Sequence, residues 1–213
     1  MVVAWASGRI TLGSLLRAWA FVYAGNIAGA VGTAILVFLA GHYGFAGGAV
    51  GKTALAIGSA KAALPTIQLF FLAVLCNVLV CLAVWMSFGA RSATDKVMVI
   101  VPPIAAFVAA GFEHSVANMY YIPLALLIQW GAPESFWAAI HKTPADFANL
   151  NLYNFFIGNL LPVTLGIGLG FFLLNRRAIE RPLLRAADAL IAGSEQINAA
   201  ALQVANSSQS LAQ

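Results

Sequence analysis

Four long apolar segments constrain the possible folds of this chain more than any other feature of its sequence. They lie at about residues 15–40, 66–88, 97–130 and 152–174. A helix needs roughly 20 apolar residues to cross the hydrocarbon core of a bilayer, and every segment meets that length. Composition agrees, because 62% of the 213 residues are hydrophobic and 8% are charged, whereas soluble domains carry about 25% charged residues. The sequence therefore predicts an all-α polytopic membrane protein.

The third apolar segment covers about 34 residues and is too long for one straight crossing of roughly 20. Pro102 and Pro103 lie early in it, and the stretch AAGFEHS (109–115) interrupts it halfway. This pattern predicts two half-helices joined by a short non-helical turn, which a membrane tolerates only where the turn is buried or lines a water-filled path. A half-helix that begins near His114 would direct its N-terminal N–H groups at the bilayer centre, an arrangement that favours a small anion.

Glu113 and His114 place two ionisable side chains side by side within this apolar segment. Such a group near the bilayer centre costs about 2.5–3.5 kcal/mol on insertion scales, so a function or an internal partner must accompany it. For His114, the alternative to a functional role is a buried histidine that bonds to a neighbour such as Asn118. For Glu113, the alternative is a structural carboxylate that accepts hydrogen bonds from the backbone amides of the break.

Basic residues near the ends of the apolar segments predict the orientation of the chain in the membrane. Eight of them flank one side of the four-segment path, namely Arg9, Arg17, Arg91, Lys96, Arg176, Arg177, Arg181 and Arg185. Three fall on the other side, namely Lys52, Lys61 and Lys142. Because cytoplasmic loops carry an excess of Lys and Arg, both ends of the sequence are predicted to be cytoplasmic.

The other apolar segments indicate packing rather than chemistry. Cys76 and Cys81 are predicted to be reduced packing residues, since their spacing does not match a zinc site. Gly25 and Gly29 form a small-xxx-small pair, which predicts a close approach of helices. The sequence contains no phosphate-binding loop, nucleophile triad or metal cluster, so it predicts no enzyme, no cofactor and no metal. The net charge of +4 comes from few residues and does not indicate nucleic acid.

Six motifs, in order along the chain, resemble those of the formate–nitrite transporter family and especially its formate branch. They are ASGRIT (6–11), YAGNIAGA (23–30), LCNVLVCLAVWM (75–86), ARSATDK (90–96), GFEHSVANM (111–119) and NLLPVTLG (159–166). The resemblance implies an aquaporin-like helical bundle with a broken span, assembled as a pentamer with one pore per subunit. It also implies that formate or nitrite-like small anions pass through the bacterial inner membrane.

Individual positions of the family motifs imply a set of pore residues. His114 resembles the central pore histidine, and Asn118 its neighbour one helical turn further on. Phe107 corresponds to the aromatic residue that narrows the outer side of the pore. Asn77 and Val80 correspond to pore-facing residues of the preceding span, although Asn77 can also be explained by a hydrogen bond between helices.

The two remaining assignments concern charged residues. Glu113 corresponds to the acidic partner of the histidine in the broken helix and is expected to support the pore. Lys61 corresponds to the basic residue at the outer mouth. The alternative for Lys61 is an ordinary exposed lysine in a loop.

The chain also departs from the family pattern. A complete member has six spans, the second of them broken, whereas here the first span, the first half of the second and its loop are absent. The asparagine that usually follows PVTLG is replaced, since the chain reads Gly166, Ile167, Gly168. Two alternatives follow, namely a fragment and a degenerate member that cannot conduct alone.

An electrostatic mechanism follows from the resemblance to an anion pore. Formate resembles the carboxyl group of Asp, whose reference pKa is about 3.9, and that of His is about 6.5. Proton transfer from imidazolium to formate is therefore uphill by roughly 3.5 kcal/mol in water. Removal from water disfavours the ionised pair, so a narrow apolar pore would favour formic acid beside a neutral imidazole.

The last part of the sequence differs from the membrane domain, and we place the boundary between residues 1–178 and 179–213. In the second part, an apolar residue recurs every seven positions at Leu183, Leu190, Ile197, Val204 and Leu211. This heptad pattern predicts a cytoplasmic coiled coil, and the tail resembles the start of a chemoreceptor signalling helix. An alternative function is thus a membrane sensor that binds small anions and contacts signalling partners through its tail. A partly disordered tail is the other alternative.

Overall fold

The computed structural model describes residues 10–172 and the single residues 5, 174 and 196. Seven helices follow one another in this part of the chain: α1 (Leu12–Leu39), α2 (Ala49–Ala63), α3 (Thr66–Gly89), α4 (Ala93–Ala109), α5 (Ser115–Gly131), α6 (Glu134–Ile140) and α7 (Asn154–Phe172). Short 3-10 helices lie at His42–Gly44 and Pro144–Phe147. The described residues contain no strand, which confirms the all-α prediction.

Three helices are long and apolar enough to cross a membrane, judged by length and composition. They are α1, α3 and α7, and each lies within one of the predicted apolar segments or extends it by a few residues. Apart from residue 196, the predicted tail at 179–213 lies outside the described residues, and so do its heptad column and the four arginines at its start. The domain boundary, the coiled coil and the signalling alternative therefore stay predictions.

The third apolar segment is broken at its middle, as predicted. Its two halves, α4 and α5, contain 17 residues each and are each about 25 Å long. Gly111 has a φ of +69° at the turn between them, a conformation that glycine adopts without steric cost. The chain leaves helical geometry there, and α5 begins afresh at Ser115 with His114 as its N-cap residue.

Helix α5 is the centre of the bundle, with α1 and α2 packed against it, while α4 packs on α3. The main core surrounds buried residues of α2 and α5, such as Leu55, Met119 and Ile122. A smaller core of Leu69, Ala73 and Val163 joins α3 to α7. Much apolar surface stays exposed on the spans, as expected for helices that face lipid or neighbouring subunits.

Helix α2 is an element that the sequence analysis did not predict. It covers 15 residues and buries Gly51, Leu55 and Gly58 along one face. The helix is too short to cross a bilayer and too rich in small residues to stand out as an apolar segment. The interpretation of Lys61 as a loop lysine is therefore wrong, because Lys61 lies in the last turn of this helix.

Close helix contacts occur at glycines other than the predicted pair. A Cβ atom added at Gly58 would clash with the Cβ of Ala125 in α5, and one added at Gly166 would clash with the carbonyl oxygen of Phe70 in α3. By contrast, a Cβ at Gly25 or Gly29 would meet nothing within 4 Å. The predicted close approach at Gly25 and Gly29 does not occur within the described part, where both glycines line an open groove between α1 and α5 with Val116 and Tyr120.

Candidate functional site

The imidazole of His114 caps the N-terminus of α5. His114 has extended backbone geometry, with φ of −126° and ψ of 123°, and its Nδ1 accepts a hydrogen bond from the backbone N–H of Ala117 at 3.4 Å. Because Nδ1 is the acceptor, the proton of a neutral ring is on Nε2. Phe107 of α4 stacks on the same ring, with centroids 6.0 Å apart and 21° between the planes. The structure thus brings together two of the predicted pore residues, one from each half-helix.

Glu113 is buried next to His114, with 3% of its side chain exposed. Its Oε1 accepts a hydrogen bond from Lys61 Nζ at 2.8 Å, and its Oε2 accepts one from Asn118 Nδ2 at 2.7 Å. Both of these donors are side chains, one in α2 and one in α5, so the expectation that backbone amides of the break hold this carboxylate is wrong. An internal ion pair compensates the buried charge, which is what such a position requires.

Asn118 and Asn159 extend this arrangement across three helices. The amide nitrogen of Asn118 donates to Glu113 and also to Asn159 Oδ1, the latter at 2.8 Å. Asn159 Nδ2 donates in turn to the backbone carbonyl of Lys61 at 2.9 Å. We call Lys61, Glu113, Asn118 and Asn159 the buried polar network. Asn118 bonds within this network rather than to His114, so the interpretation of His114 as a histidine satisfied by Asn118 is not supported.

Asn159 is the member of the buried polar network that the sequence analysis missed. It lies in α7 and has no exposed surface. The sequence does contain a signal for Asn159, because an amide side chain is costly in an apolar span unless it bonds to another helix. The sequence alone does not say which helix that is.

Asn77 and Val80 of α3 lie apart from these contacts. Asn77 is buried, and among the described residues its Nδ2 atom has no hydrogen-bond partner. Gly170 of α7 lies close to this nitrogen, because a Cβ added at Gly170 would lie 3.3 Å from it. Val80 is half-buried. The alternative of a hydrogen bond between helices is therefore not supported for the Nδ2 of Asn77, and the pore assignments of both residues stay predictions.

A cavity of about 460 Å³ lies beside the start of α5, between α1 and α7. Its wall is mostly apolar, with a hydrogen bond of 2.7 Å between the hydroxyls of Tyr23 and Thr164. Ser115, the residue after His114, and Ile167, at the position that departs from the family pattern, also line it. This cavity is large enough for a small ion or for a packed segment of polypeptide.

The part of the chain that the structure describes contains no group of three His, Cys, Asp or Glu residues that could hold a metal ion. Cys76 and Cys81 are both buried, as expected for packing residues. The polar groups of the site are thus an imidazole, an ion pair and amides. Such groups can bind anions and relay protons.

Comparison with known proteins identifies the family. The sequence model described as "Formate/nitrite transporter" matches residues 1–174. The formate channel FocA of Escherichia coli strain K12 is 45% identical over 166 residues, which cover 78% of this chain and 58% of FocA. FocA of Haemophilus influenzae is 41% identical over 165 residues, with the same two shares. This chain therefore spans 58% of the length of these curated relatives.

Solved structures agree with the sequence relatives. A pentameric formate channel with formate bound matches with a TM-score of 0.80 and 43% identity, over 83% of this chain and 69% of that chain. A second structure, an FNT family ion channel, matches with a TM-score of 0.63 and 30% identity, over 81% of this chain and 61% of that chain. These relatives are channels and transporters rather than enzymes. The chain belongs to the formate/nitrite transporter family, and its described helices form a multi-pass membrane bundle with the fold of that family's channels.

Proposed function

We propose that this chain contributes to a pore through which formate or similar small monovalent anions cross the bacterial cytoplasmic membrane. The observation that carries the proposal is the position of His114, which starts the half-helix α5 beside a buried glutamate neutralised by Lys61. The names of the FocA relatives and of the formate-bound structure support formate as the anion. In this proposal Phe107, Asn118, Asn77 and Val80 line or narrow the path.

The half-helix α5 favours an anion at its beginning. Aligned peptide dipoles place roughly half a positive charge at a helix N-terminus, and its first N–H groups lack intrahelical partners. Ala117 N–H is used by the His114 cap, and Asn118 N–H bonds to the His114 carbonyl. The N–H groups nearer the start of α5 lie where an anion beside His114 would arrive.

The two members of the ion pair differ in solvent exposure, and this difference also favours an anion. Lys61 keeps 20% of its side chain exposed, whereas Glu113 keeps 3%. The carboxylate is shielded by two hydrogen-bond donors, so an arriving anion meets the ammonium group before it meets the negative charge. We place Lys61 on the outer side of the path, where it attracts the anion towards His114.

The proposed step at His114 is protonation of the anion. The donor is the imidazolium form, in which Nδ1 has taken a proton from solvent in place of the hydrogen bond from the Ala117 N–H; the Nε2 proton then passes to an oxygen of formate, which leaves formic acid and a neutral imidazole. The ionised pair of imidazolium and formate loses more solvation than the neutral pair when water is removed. Passage through the apolar part of the path would therefore proceed as formic acid, with the proton supplied from solvent through the imidazole.

Uptake into liposomes tests the proposal directly. The chain alone and the chain preceded by the first spans of FocA, which the family pattern predicts to be absent here, are reconstituted into separate vesicles. We expect formate uptake well above that of protein-free vesicles in the joined protein, and native mass spectrometry of the same preparation should give the five-copy assembly. Formate uptake by the joined protein that stays at the level of protein-free vesicles would contradict the proposed function.

We also propose a cytoplasmic C-terminus. Arg91 lies on the connection between α3 and α4 and Lys96 in the first turn of α4, and the further arginines after residue 174 fall on the same predicted side. An excess of Arg and Lys marks cytoplasmic segments. A reporter enzyme that is active only in the cytoplasm, fused after Gln213, should therefore be active. Activity only of a periplasmic reporter at the same position would overturn the orientation.

A further inference from the structure

We propose that Asn159 is a positioning residue for Lys61, because it supplies the hydrogen-bond donor that Pro65 denies to the last turn of α2. The inference deepens the proposed function, because a role of this contact in transport rests on that function. It concerns the contact between Lys61 and Glu113, which can be measured without transport.

The carbonyl group of Lys61 lacks a donor within its own helix. In an α-helix the carbonyl of residue i accepts from the N–H of residue i+4, which for Lys61 would be residue 65. Pro65 has no N–H. Leu64 has extended backbone geometry, with φ of −66° and ψ of 137°, as is usual for a residue before proline. The helix ends at Ala63, and the Lys61 carbonyl needs a donor from elsewhere.

Asn159 provides that donor from α7. Its Nδ2 lies 2.9 Å from the Lys61 carbonyl oxygen, and its Oδ1 accepts from Asn118 at 2.8 Å. One side chain thus joins the backbone of α2 to α5. Only an amide can do so at this size, because a carboxylate has no donor and an aliphatic group has neither function.

The local geometry of α7 favours this role for Asn159. The first seven residues of α7, Asn154–Leu160, form a π-helix, and the N–H of Leu161 bonds to the carbonyl of Phe156 five residues earlier. Such wide turns are rare and occur frequently at functional sites. This turn carries Asn159 in a fully buried position against both α2 and α5.

A second contact holds α2 one half-turn earlier. Asn149 Nδ2 donates to the Ser59 carbonyl at 2.7 Å, and the Ser59 hydroxyl donates to Asn149 Oδ1 at 2.8 Å. Loss of Asn159 should therefore release the turn that carries Lys61 while the remainder of α2 stays in place. The ammonium group would then leave Glu113 for part of the time and become accessible to reagents.

The test measures how fast Lys61 reacts with an amine-reactive ester in the full chain in detergent, with mass spectrometry of peptides to resolve each lysine. Asn159→Ala and the nearly isosteric Asn159→Leu are compared with Asn154→Ala. Asn154 is a matched control, because it lies in the same helix and donates to a backbone carbonyl at 2.8 Å, that of Asn149. The exposed residues Lys52 and Lys142 serve as internal standards.

We expect the Lys61 rate to rise about fivefold in both Asn159 variants, the population change that corresponds to one hydrogen bond of ordinary net strength. The internal standards and the Asn154→Ala chain should stay within about twofold of wild type. An unchanged Lys61 rate in folded Asn159 variants would overturn the proposal, and so would a general rise at all lysines with loss of helicity, which marks a role in folding alone. If the Lys61 rate rises as expected but the joined protein takes up no formate, the proposed function is contradicted and the positioning role stays intact.

Discussion

Replacing His114 with asparagine should lower formate uptake by about 100-fold or more while the protein keeps its helical content and assembly. Asparagine is a good N-cap residue, so α5 keeps an acceptor for its first turn. It cannot carry a proton, however, and proton transfer by a positioned side chain typically contributes a factor of about 10² to 10⁴. The measurement is the uptake of radiolabelled formate into liposomes as a function of pH. It uses whichever protein, the chain alone or the joined protein, takes up formate.

His114→Phe distinguishes the role of His114 as the N-cap of α5 from its role as a proton carrier. Phenylalanine keeps an aromatic ring next to Phe107 but loses the bond to Ala117, so we expect the same loss of flux with a lower unfolding temperature. His42→Asn is the matched control, because His42 is exposed in the connection between α1 and α2. Unchanged formate flux and unchanged pH dependence in both His114 variants would remove this residue from the mechanism.

Much of the fold follows from the sequence, because lipid makes strong demands on it. Segments of sufficient apolar length are predicted to be spans, since backbone groups in hydrocarbon must bond within a helix. The break was predicted from excess length together with Gly111, Glu113 and His114, which no continuous lipid-facing helix would carry. These signals are local, and so they can be read without knowing which helices are neighbours.

Helix α2 could not be predicted by the same reasoning. Its sequence, AVGKTALAIGSAKAA, is too short for a span and carries two glycines within it as well as two lysines. Glycine at positions 51 and 58 disfavours a helix by propensity alone. Both glycines are required by tertiary contacts with Phe136 and Ala125, which only the folded bundle supplies. Tertiary packing here overrides local propensity.

The candidate site shows the same division. The resemblance to the family indicated His114, Glu113 and Phe107 by position, and the break gave a physical reason for two of them. The pairing of residues was not predictable, since Lys61 and Glu113 are 52 positions apart and Asn159 and Lys61 are 98 apart. Periodicity predicts which face of a helix is buried but does not say which helix covers it.

The ion pair between Lys61 and Glu113 is the second place where a single substitution should have a large effect. We expect Lys61→Met to destabilise the protein by about 3–5 kcal/mol, because it leaves the buried carboxylate of Glu113 without its cation. The measurement is the free energy of unfolding of the detergent-solubilised chain in a denaturant titration followed by circular dichroism. Lys142→Met is the matched control, since Lys142 and Asp146 form an exposed pair at 3.9 Å and such pairs contribute little.

A double-mutant cycle distinguishes an ion pair from two independent side chains. Glu113→Gln keeps an oxygen that can accept from Asn118, and the Lys61 side chain that it leaves is already 20% exposed, so its cost should be smaller than that of Lys61→Met. The combined variant has no buried charge at the pair and should be more stable than Lys61→Met alone, since uncharged replacements of buried pairs are often neutral. Because directly contacting residues couple by about 0.5–3 kcal/mol, the two losses should not add. Strict additivity would mean that Lys61 and Glu113 do not stabilise each other in the folded protein, and the charge-balanced site proposed beside His114 would then have to be abandoned.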